Sequence, residues 1–170
     1  MSPYYVSVGS NLGDRRRYIE RAREILSEFP GVVIDEVSAV YETEAVGPGK
    51  HPPFLNAVFG GRTSLAPVAL LSALNGIEDQ LGRTRVRRWA PRTMDLDLLL
   101  VGARVLSTPR LILPHPRMAA RRFVLVPLAE VAPDLRHPVL DVDVQTLLAR
   151  CPDRSWVRPS EPMSAELTRC

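Results

Sequence analysis

Residues Arg88 to Val101 read R-W-A-P-R-T-M-D-L-D-L-L-L-V, a cationic and aromatic approach running into two acids set in an apolar run. From Met94 to Val101 the run is short, rich in Leu and closed by Gly102, which predicts a buried strand rather than a helix. Side chains alternate along a strand. Asp95 and Asp97 therefore share one face, their roots roughly 6 to 7 Å apart, while Met94, Leu96, Leu98 and Leu100 take the other. Two ionised carboxylates so close repel each other and call for cations. Mg²⁺ suits them, since it takes one or two carboxylates and completes its shell with phosphate oxygens and water. Arg88 and Arg92, just upstream, carry the planar fork that matches phosphate. The same pattern also arises as a pair of solvated acids neutralised by nearby Arg.

Composition sets wider bounds. At 170 residues the chain fits one domain, which we place at residues 1–150 with a C-terminal tail, partly ordered at best, over 151–170. Neither a span of about 18 apolar residues nor a basic and apolar leader is visible, so the cytoplasm is the expected compartment. The two cysteines, Cys151 and Cys170, lack a metal-ligand spacing and read as free thiols. Net charge is +3, carried almost wholly by Arg with Lys50 the sole lysine, which favours an anionic partner without saying which.

Upstream of the two acids, Gly82 to Arg92 holds five Arg in eleven residues. Such a loop can close over a triphosphate, with Arg83, Arg85, Arg88 and Arg92 as contacts and Trp89 as a stacking or sealing group; as sequence alone it is equally a nucleic-acid patch. Before it, Ser64 is read as the cap of a helix running with Pro67 in its first turn to about Leu81, placing Asn75 and Glu78 on one edge. Phe54 to Arg62 is a strand with Phe54, Asn56 and Val58 on one face and Leu55, Ala57 and Phe59 on the other. A ring beside an amide suits a flat heterocycle. Thr43 to Pro53 is too rich in Gly and Pro for a regular element and reads as a binding segment or lid. Val32 to Glu42 is read as one strand, Arg15 to Phe29 as an amphipathic helix capped by Asp14, and Tyr4 to Gly9 as the first strand. Downstream come a short hairpin strand at Ala103 to Leu106, the segment P-R-L-I-L-P-H-P at 109–116, a helix from Phe123 to Ala132 and a short closing helix from Val144 to Arg150.

The stretch from Arg88 to Leu99, the opening G-S-N-L-G-D and the strand exit S-A-V-Y-E-T together resemble the 6-hydroxymethyl-7,8-dihydropterin pyrophosphokinases. The resemblance covers roughly residues 4 to 140 and implies an α+β fold: a ferredoxin-like, four-stranded antiparallel core sheet with helices packed on it in three α/β/α layers. The order β-α-β-β-α-β read above agrees with it. It further implies pyrophosphoryl transfer from ATP to the hydroxymethyl group of the pterin, releasing AMP on the route to folate. By resemblance, Asp95 and Asp97 hold two Mg²⁺, and Arg83 and Arg92 act on the phosphates. Asn75, Glu78, Arg85, Arg88, Trp89, Arg92, Leu98, Arg110, Ile112, His115 and Arg121 meet ATP. Thr43, Ala45, Val46, Phe54, Asn56, Trp89 and Phe123 grip the pterin. Asn75 stands where Gln is commoner in the family, and Ile112 and Pro116 depart from its Thr and Tyr. Small-molecule substrates, no nucleic acid, no membrane and a monomer are the expected partnerships. A basic nucleic-acid-binding module, or the same fold acting on another alcohol, are the rival readings.

Overall fold

The computed structural model describes residues 1–11, 13–45, 52–82 and 94–160. Its centre is β1 (Ser2–Ser10), paired antiparallel with β4 (Phe54–Thr63) on one side and β5 (Asp95–Val101) on the other. A strand with neighbours on both sides and helices on both faces is buried on both faces. Tyr4, Val6 and Val8 accordingly lose all contact with solvent. β2 (Val32–Val37) and β3 (Tyr41–Thr43) pair in turn with β4, and β8 (Val157–Pro159) adds to the outer edge of β3. With β2, β4, β1 and β5 side by side, the core has the ferredoxin-like order expected of β-α-β-β-α-β.

Helices α1 (Arg15–Ser27) and α2 (Pro67–Gln80) cover one face, burying Ile19, Ala22, Leu26, Leu70, Leu74 and Ile77 against Tyr4, Val6, Leu55, Ala57 and Phe59. Each buried Ile or Leu among them contributes about 1.5–3 kcal/mol of transfer free energy. Helices α3 (Arg122–Val131) and α4 (Val144–Ala149) cover the other face, with Val124, Leu125, Leu128 and Leu147 against Val58, Leu99 and Leu100. The two faces of β4 fall as its alternation predicts. Asp14 caps α1 by accepting the Arg17 N–H at 3.2 Å. Among the described residues no helix is long and apolar enough to cross a membrane.

Four expectations are corrected. Ser64 does not cap α2; Ala66 holds that position in extended conformation and Pro67 opens the helix with its fixed φ. The strand expected over Val32 to Glu42 is broken. Ser38 both donates its N–H to the Val58 carbonyl and accepts the Val58 N–H on Oγ, each at 2.9 Å, so the chain leaves the ladder there and re-enters as β3. Leu100 sits with Leu99 on the α3 face, not with Met94, Leu96 and Leu98. The cause is a β-bulge: Tyr5 pairs with Leu100 and Val6 with Leu98, so Leu99 is the extra residue and the alternation restarts. The hairpin strand begins later than expected, as β6 (Leu106–Ser107) against β7 (Ile112–Leu113).

A buried histidine also belongs to the fold. His137 is buried, and its Nδ1 accepts the N–H groups of Val139 at 3.2 Å and Leu140 at 3.0 Å. Burial holds its pKa below the ordinary histidine value. As pH falls through that ordinary value the unfolded chain takes up the proton first, so this contribution to stability is present at pH 7 and lost towards pH 5. Thermal melts across that window are expected to show Tm falling, and falling less in His137→Asn, whose amide oxygen still accepts without taking a proton. Equal slopes would contradict the assignment.

Candidate active site

Three adjacent strands place two rows of residues side by side on the α3 face. Gly9 lies between Asn56 on β4 and Asp95 on β5, and Ser7 lies between Val58 and Asp97. Gly9 has a steric reason. A Cβ there would stand 2.8 Å from Asn56 Oδ1, closer than real contacts allow. The Asn56 amide is buried and fixed, its Nδ2 donating to Thr43 Oγ1 at 2.6 Å while its Oδ1 is turned toward Gly9.

Around this floor is a cavity of about 240 Å³. Phe54 and Thr43 wall it from β4 and β3, and Phe123 walls it from the first turn of α3. Asp95, Asp97 and Arg121 form its polar end. Two rings, a pinned amide and a buried hydroxyl thus line one small cavity, a set of groups that suits a planar, hydrogen-bonding heterocycle.

A second hollow, of about 360 Å³, opens on the outer side of the same two acids. Asn75 and Glu78 reach it from α2, Leu98 from β5, and Arg110, Ile112 and His115 from the hairpin and the segment after it. Glu78 is buried, and its carboxylate accepts the Leu96 N–H at 3.2 Å, which fixes the strand backbone between the two acids. The turn carrying Arg110 is tied by Thr108, which takes the Leu111 N–H on Oγ1 at 3.1 Å. His115 Nδ1 accepts the Arg117 N–H at 3.2 Å, so the neutral ring bears its proton on Nε2 and is a donor. Burial holds its pKa below the ordinary value; Asp97 pulls it up, and Arg121 and Arg117 push it further down. Arg121 Nη1 stands 4.0 Å from Asp97 Oδ2, with its guanidinium 5.6 Å from the centre of the Phe123 ring.

Asp95 and Asp97 therefore stand where the two hollows meet. The structure brings Thr43, Phe54, Asn56 and Phe123 to the first, and Asn75, Glu78, Leu98, Arg110, Ile112 and His115 to the second, while Arg121, expected among the ATP contacts, lines the first and not the second. Ala45 is half-buried and is not among the residues lining either. Val46, Arg83, Arg85, Arg88, Trp89 and Arg92 lie outside the described residues. Sequence reasoning did not single out Ser7, Gly9 or Glu44 as lining groups. A glycine inside a β-rich run was the available signal for Gly9, since it marks a close approach.

Among the described residues no three His, Cys, Asp or Glu side chains gather as a metal cage. Two same-face carboxylates beside open hollows are instead a donor set that would suit a hard cation able to complete its shell with phosphate oxygens and water.

Comparison with known proteins gives a consistent picture. A family model described as 7,8-dihydro-6-hydroxymethylpterin-pyrophosphokinase matches residues 5–133. The 2-amino-4-hydroxy-6-hydroxymethyldihydropteridine pyrophosphokinase of Pseudomonas aeruginosa is 47% identical over 148 residues, covering 87% of this chain and 91% of that protein. The protein of the same name from Bacillus subtilis is 47% identical over 127 residues, 75% of this chain and 76% of that one. Among solved structures, Plasmodium falciparum HPPK-DHPS with pteroate superposes with a TM-score of 0.68 over 88% of this chain at 14% identity, a likeness of fold. This chain spans 42% of that longer one.

Proposed function

The chain belongs to the 7,8-dihydro-6-hydroxymethylpterin pyrophosphokinase family, and from that premise we propose how its two hollows divide the reaction. The enzyme transfers pyrophosphate from ATP to 6-hydroxymethyl-7,8-dihydropterin, a step of folate biosynthesis. The first cavity takes the pterin: Phe54 and Phe123 stack on its two faces, and Asn56 and Thr43 hydrogen-bond its edge. The second takes ATP, with His115 Nε2–H and Arg110 donating to phosphate. The single observation that carries this division is that Asp95 and Asp97 line both hollows, so a hydroxymethyl group in one and a β-phosphate in the other meet at the same pair of carboxylates.

The pterin hydroxyl oxygen bonds to the β-phosphorus of ATP as the bond from that phosphorus to the α-bridging oxygen breaks, and AMP leaves with the bridging oxygen. Such a transfer asks the protein mainly for positioning and charge neutralisation. Asp95 and Asp97 would hold Mg²⁺, two ions on our reading, which when bound shield the phosphate charge and orient the oxygens. Arg121 lies over the Phe123 ring beside Asp97 and steadies negative charge at the reacting end of the pterin. Arg83, Arg85, Arg88 and Arg92, with Trp89, supply the cationic cover that excludes water from the phosphates. Ile112 is half-exposed in the nucleotide hollow and offers an apolar contact without a hydroxyl.

The test is stoichiometric. AMP is expected to appear one for one with pterin diphosphate when ATP, Mg²⁺ and the pterin alcohol are supplied. ADP as the coupled product would show attack at the γ-phosphorus and overturn the placement of ATP.

A further inference from the structure

Beyond residue 133, where the family model ends, the chain runs on to contact α3 and β3, two of the elements that wall the first cavity. One link is at α3. Arg121 precedes the helix with extended backbone and no side-chain cap of its own. Asp153 supplies it: its Oδ2 accepts the Arg122 N–H at 3.0 Å while Oδ1 accepts the Ser155 N–H at 2.9 Å. A carboxylate at a helix N-terminus is favourable both as an acceptor and for the helix dipole. Burial pushes the Asp153 pKa up, but the hydrogen bonds from Ser155 and Arg122 and the Arg122 charge outweigh it, so the group stays ionised near neutrality.

The other link is at β3. Val157 stands opposite Thr43 and Arg158 opposite Glu42. The Glu44 N–H donates to the Trp156 carbonyl at 3.2 Å, the Trp156 N–H returns to Glu44 Oε2 at 3.4 Å, and the Ser160 N–H reaches the Val40 carbonyl at 2.9 Å. Arg158 pairs with Glu42 at 3.2 Å and lies 4.6 Å over the Trp156 ring. Without this strand, β3 would be a three-residue edge whose backbone pairs with β4 alone among the described strands. Glu130 already ties the far end of α3 to Tyr41 and to the Ala39 N–H. The near end, which carries Arg121 and Phe123, is the one that Asp153 holds.

We infer that residues 151–160 are a positioning strap for the pterin: one short segment grips the start of α3 and the edge of β3, and so sets the distance between the walls that carry Phe123 and Thr43. The inference rests on the first cavity being the pterin site. Its prediction is selective, because the strap touches the walls of that cavity and not the hollow assigned to ATP.

The experiment uses the full chain carrying Asp153→Ala, with Asp153→Asn, which keeps one of the two acceptors, as the conservative partner. Affinity is measured for 6-hydroxymethylpterin by its fluorescence, in the presence of Mg²⁺ and α,β-methylene-ATP, and separately for the ATP analogue. Pterin Kd is expected to rise about tenfold in Asp153→Ala and about threefold in Asp153→Asn, with the analogue's Kd within about threefold of wild type. Faster amide exchange at Arg122 is expected alongside. Should Asp153→Ala fail to fold, the Asn variant carries the same test. Pterin affinity within twofold of wild type, or equal weakening of both ligands together with a lower Tm, would overturn the strap. Phe54→Ala separates the two readings. If it weakens pterin binding while Asp153→Ala does not, the strap alone fails, and if neither weakens it, the cavity assignment fails as well.

Discussion

Replacing Asp97 by Ala is expected to cut turnover by about a thousandfold or more, equivalent to about 4 kcal/mol in the barrier, while leaving the protein folded. Asp97 lies on the row Val58–Ser7–Asp97 and lines both hollows, so on the reading proposed above its loss removes one of the two carboxylates, among the described residues, that would hold Mg²⁺ there. Stability should barely move. The side chain is 45% exposed and its pairing with Arg121 is long at 4.0 Å, the kind of contact that contributes less than about 1 kcal/mol. Steady-state kinetics beside a thermal melt checks both halves. Turnover within tenfold of wild type would remove Asp97 from the reaction, and a collapsed melt would make the kinetic loss uninformative. Asp95→Ala, one row along, provides the repeat.

Gly9→Val should abolish pterin binding by a different route, filling the floor of the cavity. A Cβ at this position already meets Asn56 Oδ1 at 2.8 Å, and Asn56 cannot retreat because Thr43 Oγ1 holds its Nδ2. Two further methyls then project into a space of about 240 Å³. Pterin affinity is expected to fall at least about a hundredfold, about 2.7 kcal/mol, and overpacking to lower stability by about 1–3 kcal/mol. Gly9 does not line the nucleotide hollow, so ATP-analogue affinity should hold within about threefold. Calorimetric titration of each ligand distinguishes the cases. A pterin Kd near that of wild type would show that the heterocycle sits elsewhere.

Much of the local geometry is legible in the sequence. The shared face of Asp95 and Asp97, the opposite faces of Phe54 and Leu55, and the Asp14 cap depend on a residue's immediate neighbours along the chain. The steric roles of the two glycines in β4 could not be read in that way. A Cβ at Gly60 would stand 2.6 Å from the Tyr5 ring, and one at Gly61 would stand 1.8 Å from the Val33 carbonyl, contacts made by strands far away in sequence. Leu100 changes face for a similar reason, since the bulge at Leu99 is a property of how β5 meets β1 and leaves no mark on the Leu run itself.

From the chain alone came the acids and their common side, the order of strands and helices, and the family resemblance that the comparisons establish. Tertiary structure decided the rest: that one pair of carboxylates serves two hollows, that Gly9 lies beneath an amide held by Thr43, and that a strand after Trp156 reaches back to β3. The division follows from range. Periodicity and capping are settled within a few covalent bonds, whereas register, bulges and shared walls arise only when distant strands choose their partners.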